Sequence, residues 1–199
     1  MADDKKSRDK QAHDQERRQR ERALEEQLER MGEPEPPIPD ENIADIEKEL
    51  GGLEYPATGA EVVESVGGHV IESVTEDYRV EELVPDTEEE KFGSPSEVRE
   101  RIQRPTVAEA MKRVVEASET VQHTGFGESQ REAYEKTFRE LKTIDAEDED
   151  EGVQAIADWI VEKIREKEKL PESRDVRRQA AKFCRANGYS VRNDEWLGI

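Results

Sequence analysis

"EGVQAIADWIVEKIREKEKLPESRDVRRQAAKFCRANGY", residues 151–189, carries two helical patterns of opposite character, and the fold of the C-terminal third turns on them. Val153, Ile156, Ala157, Ile160, Val161 and Ile164 recur at helical spacing, so one face of the first helix is apolar along its length. "LPES", residues 170–173, interrupts the pattern, and the sequence predicts a second helix with Ser173 as its N-cap. At 100° per residue, Arg174, Arg177, Arg178, Lys182 and Arg185 of that helix fall within an arc of about 140°. Val176, Ala180, Phe183 and Cys184 occupy the other side, and Gly188 is placed to end the helix.

Upstream, Ser129 and Glu132 form a capping-box pattern ahead of Tyr134, Phe138 and Leu141, which predicts a further helix. Downstream, "YSVRNDEWLGI" reads as two short extended pieces around a polar turn. Three helices, a short turn before the last and a terminal hairpin make residues 129–199 similar in pattern to a winged helix-turn-helix. A recognition helix needs an apolar face to seat it and an arginine-rich face for phosphates and base edges. The candidate nucleic-acid contacts, to DNA or RNA, are therefore Arg174, Arg177, Arg178, Lys182 and Arg185, with Arg192 on the hairpin turn. The competing expectation is a protein interaction scaffold, in which the same helix is a docking face or simply solvated.

Further toward the N-terminus, "PTVAEAMKRVVEAS" places Val107, Met111, Val114 and Val115 at helical spacing, with Thr106 and Glu109 as a start signal. Ser94, Pro95 and Glu97 mark another helix start, as do Thr58 and Glu61 before Val62 and Val63. "HVIESV" alternates like a half-buried strand after Gly67 and Gly68. Residues 53–118 thus read as a small α/β module. Residues 32–52 read as a proline-rich spacer followed by a short helix burying Ile43, Ile46 and Leu50. Residues 1–31 read as a charged, loosely helical or disordered arm: residues 3–31 hold nine acids and nine bases, and a protein partner is one expectation for them. The fold class expected is α+β, mostly helical, with "HTGFG" and "DAEDEDE" as flexible connections.

Residues of about 5–118 resemble a family of small uncharacterised acidic proteins of haloarchaea. The resemblance lies in "SRDKQAHDQERRQRERALEEQLER", "EPEPP", "YPATGAEVVESVG" and "FGSPSEVRERI". It implies a small α/β module in a haloarchaeal cytoplasm and brings no activity or binding residue with it.

The composition agrees with that setting. The chain of 199 residues has 51 acids against 31 bases, a net charge of −20, and is 32% hydrophobic. Such a surface stays hydrated where salt screens its self-repulsion. A lone cysteine, Cys184, and no long apolar run or secretion signal predict a reducing cytoplasm and no membrane span. His13, His69 and His123 lie in separate segments, and no Gly-rich phosphate loop is present, so an enzyme is not expected and neither is a cofactor. Residues 147–158 have the spacing of a calcium loop, but glutamate at the early positions, aspartate at the last and Ala155 in a ligand position argue against a metal.

Overall fold

A computed structural model of the chain describes residues 38, 40–73, 77–121, 126–144 and 151–189. The expected N-terminal arm, most of the spacer, His13, His123, the acidic run 145–150, and the hairpin with Arg192 and Trp196 lie outside the described residues. The described residues fall in one compact unit that begins at Pro37. They form a mostly helical α+β fold. Its elements are α1 (Asp40–Leu50), β1 (Ala57–Thr58), α2 (Gly59–Val66), β2 (Val70–Ile71), β3 (Tyr78–Arg79), α3 (Val80–Leu83), β4 (Lys91–Phe92), α4 (Pro95–Ile102), α5 (Pro105–Glu119), α6 (Glu128–Ile144), α7 (Glu151–Lys167) and α8 (Ser173–Ala186).

The first half is built on helix starts that the sequence announces. The Thr58 hydroxyl accepts from the Glu61 amide at 3.2 Å while the Glu61 carboxylate accepts from the Thr58 amide at 2.7 Å, a complete capping box. Gly59 is required there: its amide donates to the Glu90 carbonyl at 2.9 Å, and a Cβ would stand 2.2 Å from the Pro85 carbonyl oxygen. Ser94 caps α4 with Pro95 in its first turn. β1 pairs antiparallel with β4, Ala57 opposite Phe92, and β2 pairs antiparallel with β3, Val70 opposite Arg79. Of the strand expected over "HVIESV", Val70 and Ile71 pair with β3, and among the described residues Glu72 and Ser73 do not extend it. Ile38, read as part of the spacer, is buried: its amide donates to the Gln103 carbonyl at 3.3 Å and its own carbonyl accepts from the Gln103 side chain at 3.1 Å.

Two apolar clusters result, and α5 serves both. The first gathers Ile43, Ile46 and Leu50 of α1, Val62 and Val66 of α2, Phe92, Val98, Ile102 and also Ala108 of α5. The second gathers Met111, Val114 and Val115 of α5 with Tyr134, Phe138 and Leu141 of α6, the apolar face of α7, and Val176, Ala180 and Cys184 of α8. The division expected near residue 118 therefore falls at the end of a helix that both clusters share. Phe126 of "HTGFG" is no flexible linker residue: it is buried, with its ring 5.3 Å from that of Tyr134 and the Arg131 guanidinium over its face at 5.2 Å.

Three expected caps are displaced. Pro105, not Thr106, opens α5, with Arg104 at the N-cap, and Thr106 is buried inside the first turn. Proline fits the first helical position because its missing N–H would have no intrahelical partner there. α6 starts at Glu128, with the Gly127 carbonyl accepting from Gln130 and Arg131, so Ser129 is already helical. Glu172, not Ser173, caps α8 through its backbone, its carbonyl accepting from Asp175 and Val176.

A charged network joins the segment before β4 to α4 and α6. Arg101 Nη2 stands 3.0 Å from Glu90 Oε1 and 3.7 Å from Glu135 Oε2, and Arg139 Nη2 donates to Glu135 Oε1 at 2.7 Å. Arg131 donates to the Glu89 carbonyl at 3.0 Å and stands 3.9 Å from Glu90. Glu90 is only 2% exposed, so its charge depends on these arginines. Burial pushes the Glu135 carboxyl up, but Arg101 and Arg139, with Arg104 beyond them, more than reverse this and hold it below the usual glutamate value.

Glu90→Gln is expected to destabilise the protein by about 3–5 kcal/mol, measured by urea unfolding at neutral pH, because Arg101 and Arg131 lose a buried counter-charge. Since the native value of Glu135 lies below its unfolded one, its contribution is complete above the ordinary glutamate range and is lost as pH falls through the lower native value. The stability difference between wild type and Glu135→Gln, followed from about pH 6 to about pH 2, is therefore expected to shrink on acidification. Met111→Ala is expected to cost about 2–5 kcal/mol and to lower the unfolding midpoint of both clusters together, read by near- and far-UV circular dichroism.

Candidate nucleic-acid interface

α8 owes its seat to four side chains. Val176, Ala180, Ala181 and Cys184 are buried, and Phe183 is half-buried against the same cluster. Ala181 lies between Arg177 and Arg174 on the helix circumference, so the buried arc extends beneath one edge of the expected cationic face. Arg177 is consequently half-buried, with its Nε donating back to the Ser173 carbonyl at 3.4 Å. This narrows the expected five-cation face. Arg174, Arg178, Lys182 and Arg185 are exposed and follow one another at i, i+4, i+8 and i+11, a stripe roughly 16 Å long at 1.5 Å per residue. Arg178 lies 3.9 Å from Asp175. Among the described residues, Arg174 and Lys182 have no carboxylate within ion-pair distance.

The turn that aims this stripe is held from α6. The Pro171 carbonyl accepts from the Tyr134 hydroxyl at 2.5 Å and from the Gln130 side-chain amide at 2.7 Å. Tyr134 is fully buried, and burial pushes its phenol up, so the hydroxyl keeps its proton and remains a donor. Glu168 adopts the left-handed conformation, φ 51°, which ends α7, and Leu170 and Pro171 are then buried.

A helical projection of α8 alone misses the cations on the other limb of the turn. Arg165, Lys167 and Lys169 are exposed at the end of α7 and just after it. Residues 163–185 hold nine cations and four acids, a net of +5 in a chain of net −20. The alternation "KIREKEK" partly conceals this, because its two glutamates offset half of its four cations and the rest of the excess lies beyond the turn.

On the flank of the stripe, α5, α7 and α8 border an open cleft of about 1100 Å³ whose lining includes Trp159, Asp158, Glu162, Arg165 and Gln179. Trp159 packs partly against the second cluster and also lines the cleft. Arg113 donates to the Gln154 side chain at 2.7 Å and is ion-paired with Asp158. Lys112 pairs with Glu116 at 3.2 Å and Lys163 with Glu166 at 2.5 Å.

The remaining candidates are accounted for locally. His69 Nε2 faces Glu49 at 3.2 Å, and its carbonyl accepts from Val80. Cys184 is 1% exposed within the second cluster. Among the described residues there is no group of three or more His, Cys, Asp or Glu able to hold a metal ion. No described helix is long and apolar enough to cross a membrane.

The chain matches no curated protein and no solved structure. α6, α7 and all but the first ten residues of α5 lie outside the stretch that a family model matches, as does the whole cationic turn with α8. That stretch, residues 40–114, lies inside the span of about 5–118 read from the sequence, and it is similar to a family of unknown function, DUF5789.

Proposed function

We propose that the protein is a non-enzymatic binding protein that contacts nucleic acid through the turn and α8, in a salt-rich cytoplasm. The observation that carries this reading is the exposed stripe Arg174, Arg178, Lys182 and Arg185 on a helix clamped to the core, with Arg165, Lys167 and Lys169 exposed before the turn that leads into it. A solvated face needs no such concentration of one sign in a chain with 51 acids and 31 bases. Arginine predominates in the stripe, and its planar fork pairs with phosphates and guanine edges bidentately, which lysine does not. In molar salt, counterion release contributes little, so a rigid helix presenting a fixed spacing of guanidinium groups is the form such a contact needs. The acidic remainder of the surface keeps the protein from spreading non-specifically along a polyanion.

The test uses the whole chain, because α5 completes the core on which α8 sits. Fluorescently labelled duplex DNA, duplex RNA and single strands are titrated at low and at high salt. Arg178→Ala with Lys182→Ala is expected to leave folding nearly unchanged, since exposed charges contribute at most about 1 kcal/mol each. Binding is expected to weaken, with the salt slope falling by about 1 for each phosphate that the variant no longer holds. No binding of any nucleic acid at low salt, or capture of an acidic polypeptide such as poly-glutamate in preference to nucleic acid, would make α8 a protein-docking face and the protein a scaffold.

A further inference from the structure

Resting on that reading, we infer that the ligand is single-stranded nucleic acid and that one unstacked base enters the cleft beside Trp159 while its backbone follows the α8 stripe. The cleft and the stripe are neighbours: Gln179 of α8 lines the cleft and lies one helical turn before Lys182 on the helix surface, and Arg165 lines the cleft from α7. Trp159 is half-buried and lines this cleft. Every base has a π-face, so stacking on such a residue needs no particular sequence but does need the base out of a duplex.

The charge on the lining decides what enters. The lining carries four acids, Glu116, Asp158, Glu162 and Glu166, against Arg113 and Arg165, and although Glu116, Asp158 and Glu166 are ion-paired with Lys112, Arg113 and Lys163 respectively, it offers acceptor oxygens and an excess of negative charge that disfavours a phosphate. Carboxylate oxygens only accept, and the amino groups of adenine, cytosine and guanine donate. A phosphate or an acidic peptide side chain has nothing to donate to them. The geometry therefore separates two parts of one ligand, its anionic backbone on α8 and its neutral, donor-bearing base at Trp159.

The experiment is a titration of the full chain carrying Trp196→Phe, so that Trp159 alone reports. A 15-nucleotide oligo(dC), an oligo(dT) of equal length and a 15-base-pair duplex are the probes. Oligo(dC) and oligo(dT) are both expected to quench Trp159 emission, since cytosine N4 and thymine N3 each donate, while the duplex binds without quenching. Trp159→Ala is expected to weaken single-strand binding roughly five- to a hundredfold and to leave duplex binding unchanged. Because Trp159 also packs on the core, Ala155→Leu, at a half-exposed helix position lining the cleft, gives a second variant that obstructs it. It is expected to produce the same selective loss. Single-strand binding without quenching, or equal losses for duplex and single strand, would overturn the base-insertion inference and leave the α8 contact standing. Absence of all binding would overturn both.

Discussion

α5 is the constraint on which the other elements depend. It is fifteen residues long and has more apolar surface than one partner layer can cover, with Ala108 turned to the first cluster and Met111, Val114 and Val115 to the second. A helix apolar on more than one side is stable only when enclosed, so α5 requires both neighbours to be present. The chain has a low hydrophobic content, and one helix contributes to both of its cores. α8 inherits its rigidity from this arrangement, through α6 and α7.

The second tie is electrostatic and differs in kind. Burial of Arg101, Glu90 and Glu135 is costly, and the mutual attraction of the network chiefly offsets its own desolvation. What it adds is position. A guanidinium that must meet two carboxylates from different elements tolerates little sliding of α4 on α6, whereas methyl groups would tolerate a good deal. Salt screens exposed charges most, so pairs as enclosed as these are the ones it weakens least.

Local signals were legible where they are complete within a few residues. Thr58 with Glu61 and Ser94 with Pro95 were readable because cap, partner and helix are neighbours in sequence. The face of α7 was readable because six apolar residues keep one period. Thr106, Ser129 and Ser173 look like caps and are not, since a helix start is decided by where backbone donors find acceptors, and Arg104, Gly127 and Glu172 supply these without a side chain. Phe126 and Ile38 sit in segments whose composition says linker, and only long-range partners, Tyr134 and Gln103, bury them. The same limit applies to the candidate interface. The cations of α8 could be read from a helical projection, but the inward turn of Arg177 depends on Ala181 being buried, and the cleft at Trp159 needs α5, which lies far away in sequence.

Cys184 gives the chain a built-in clock. It is the single thiol, and it is enclosed on the underside of the helix whose upper side carries the cations. An alkylating reagent can reach that sulfur only when α8 lifts from α6 and α7, so the rate of its modification measures how often the helix detaches rather than how reactive the sulfur is. A ligand that holds α8 down slows that clock, and one that pulls it away speeds it, without any label having to be added to the protein.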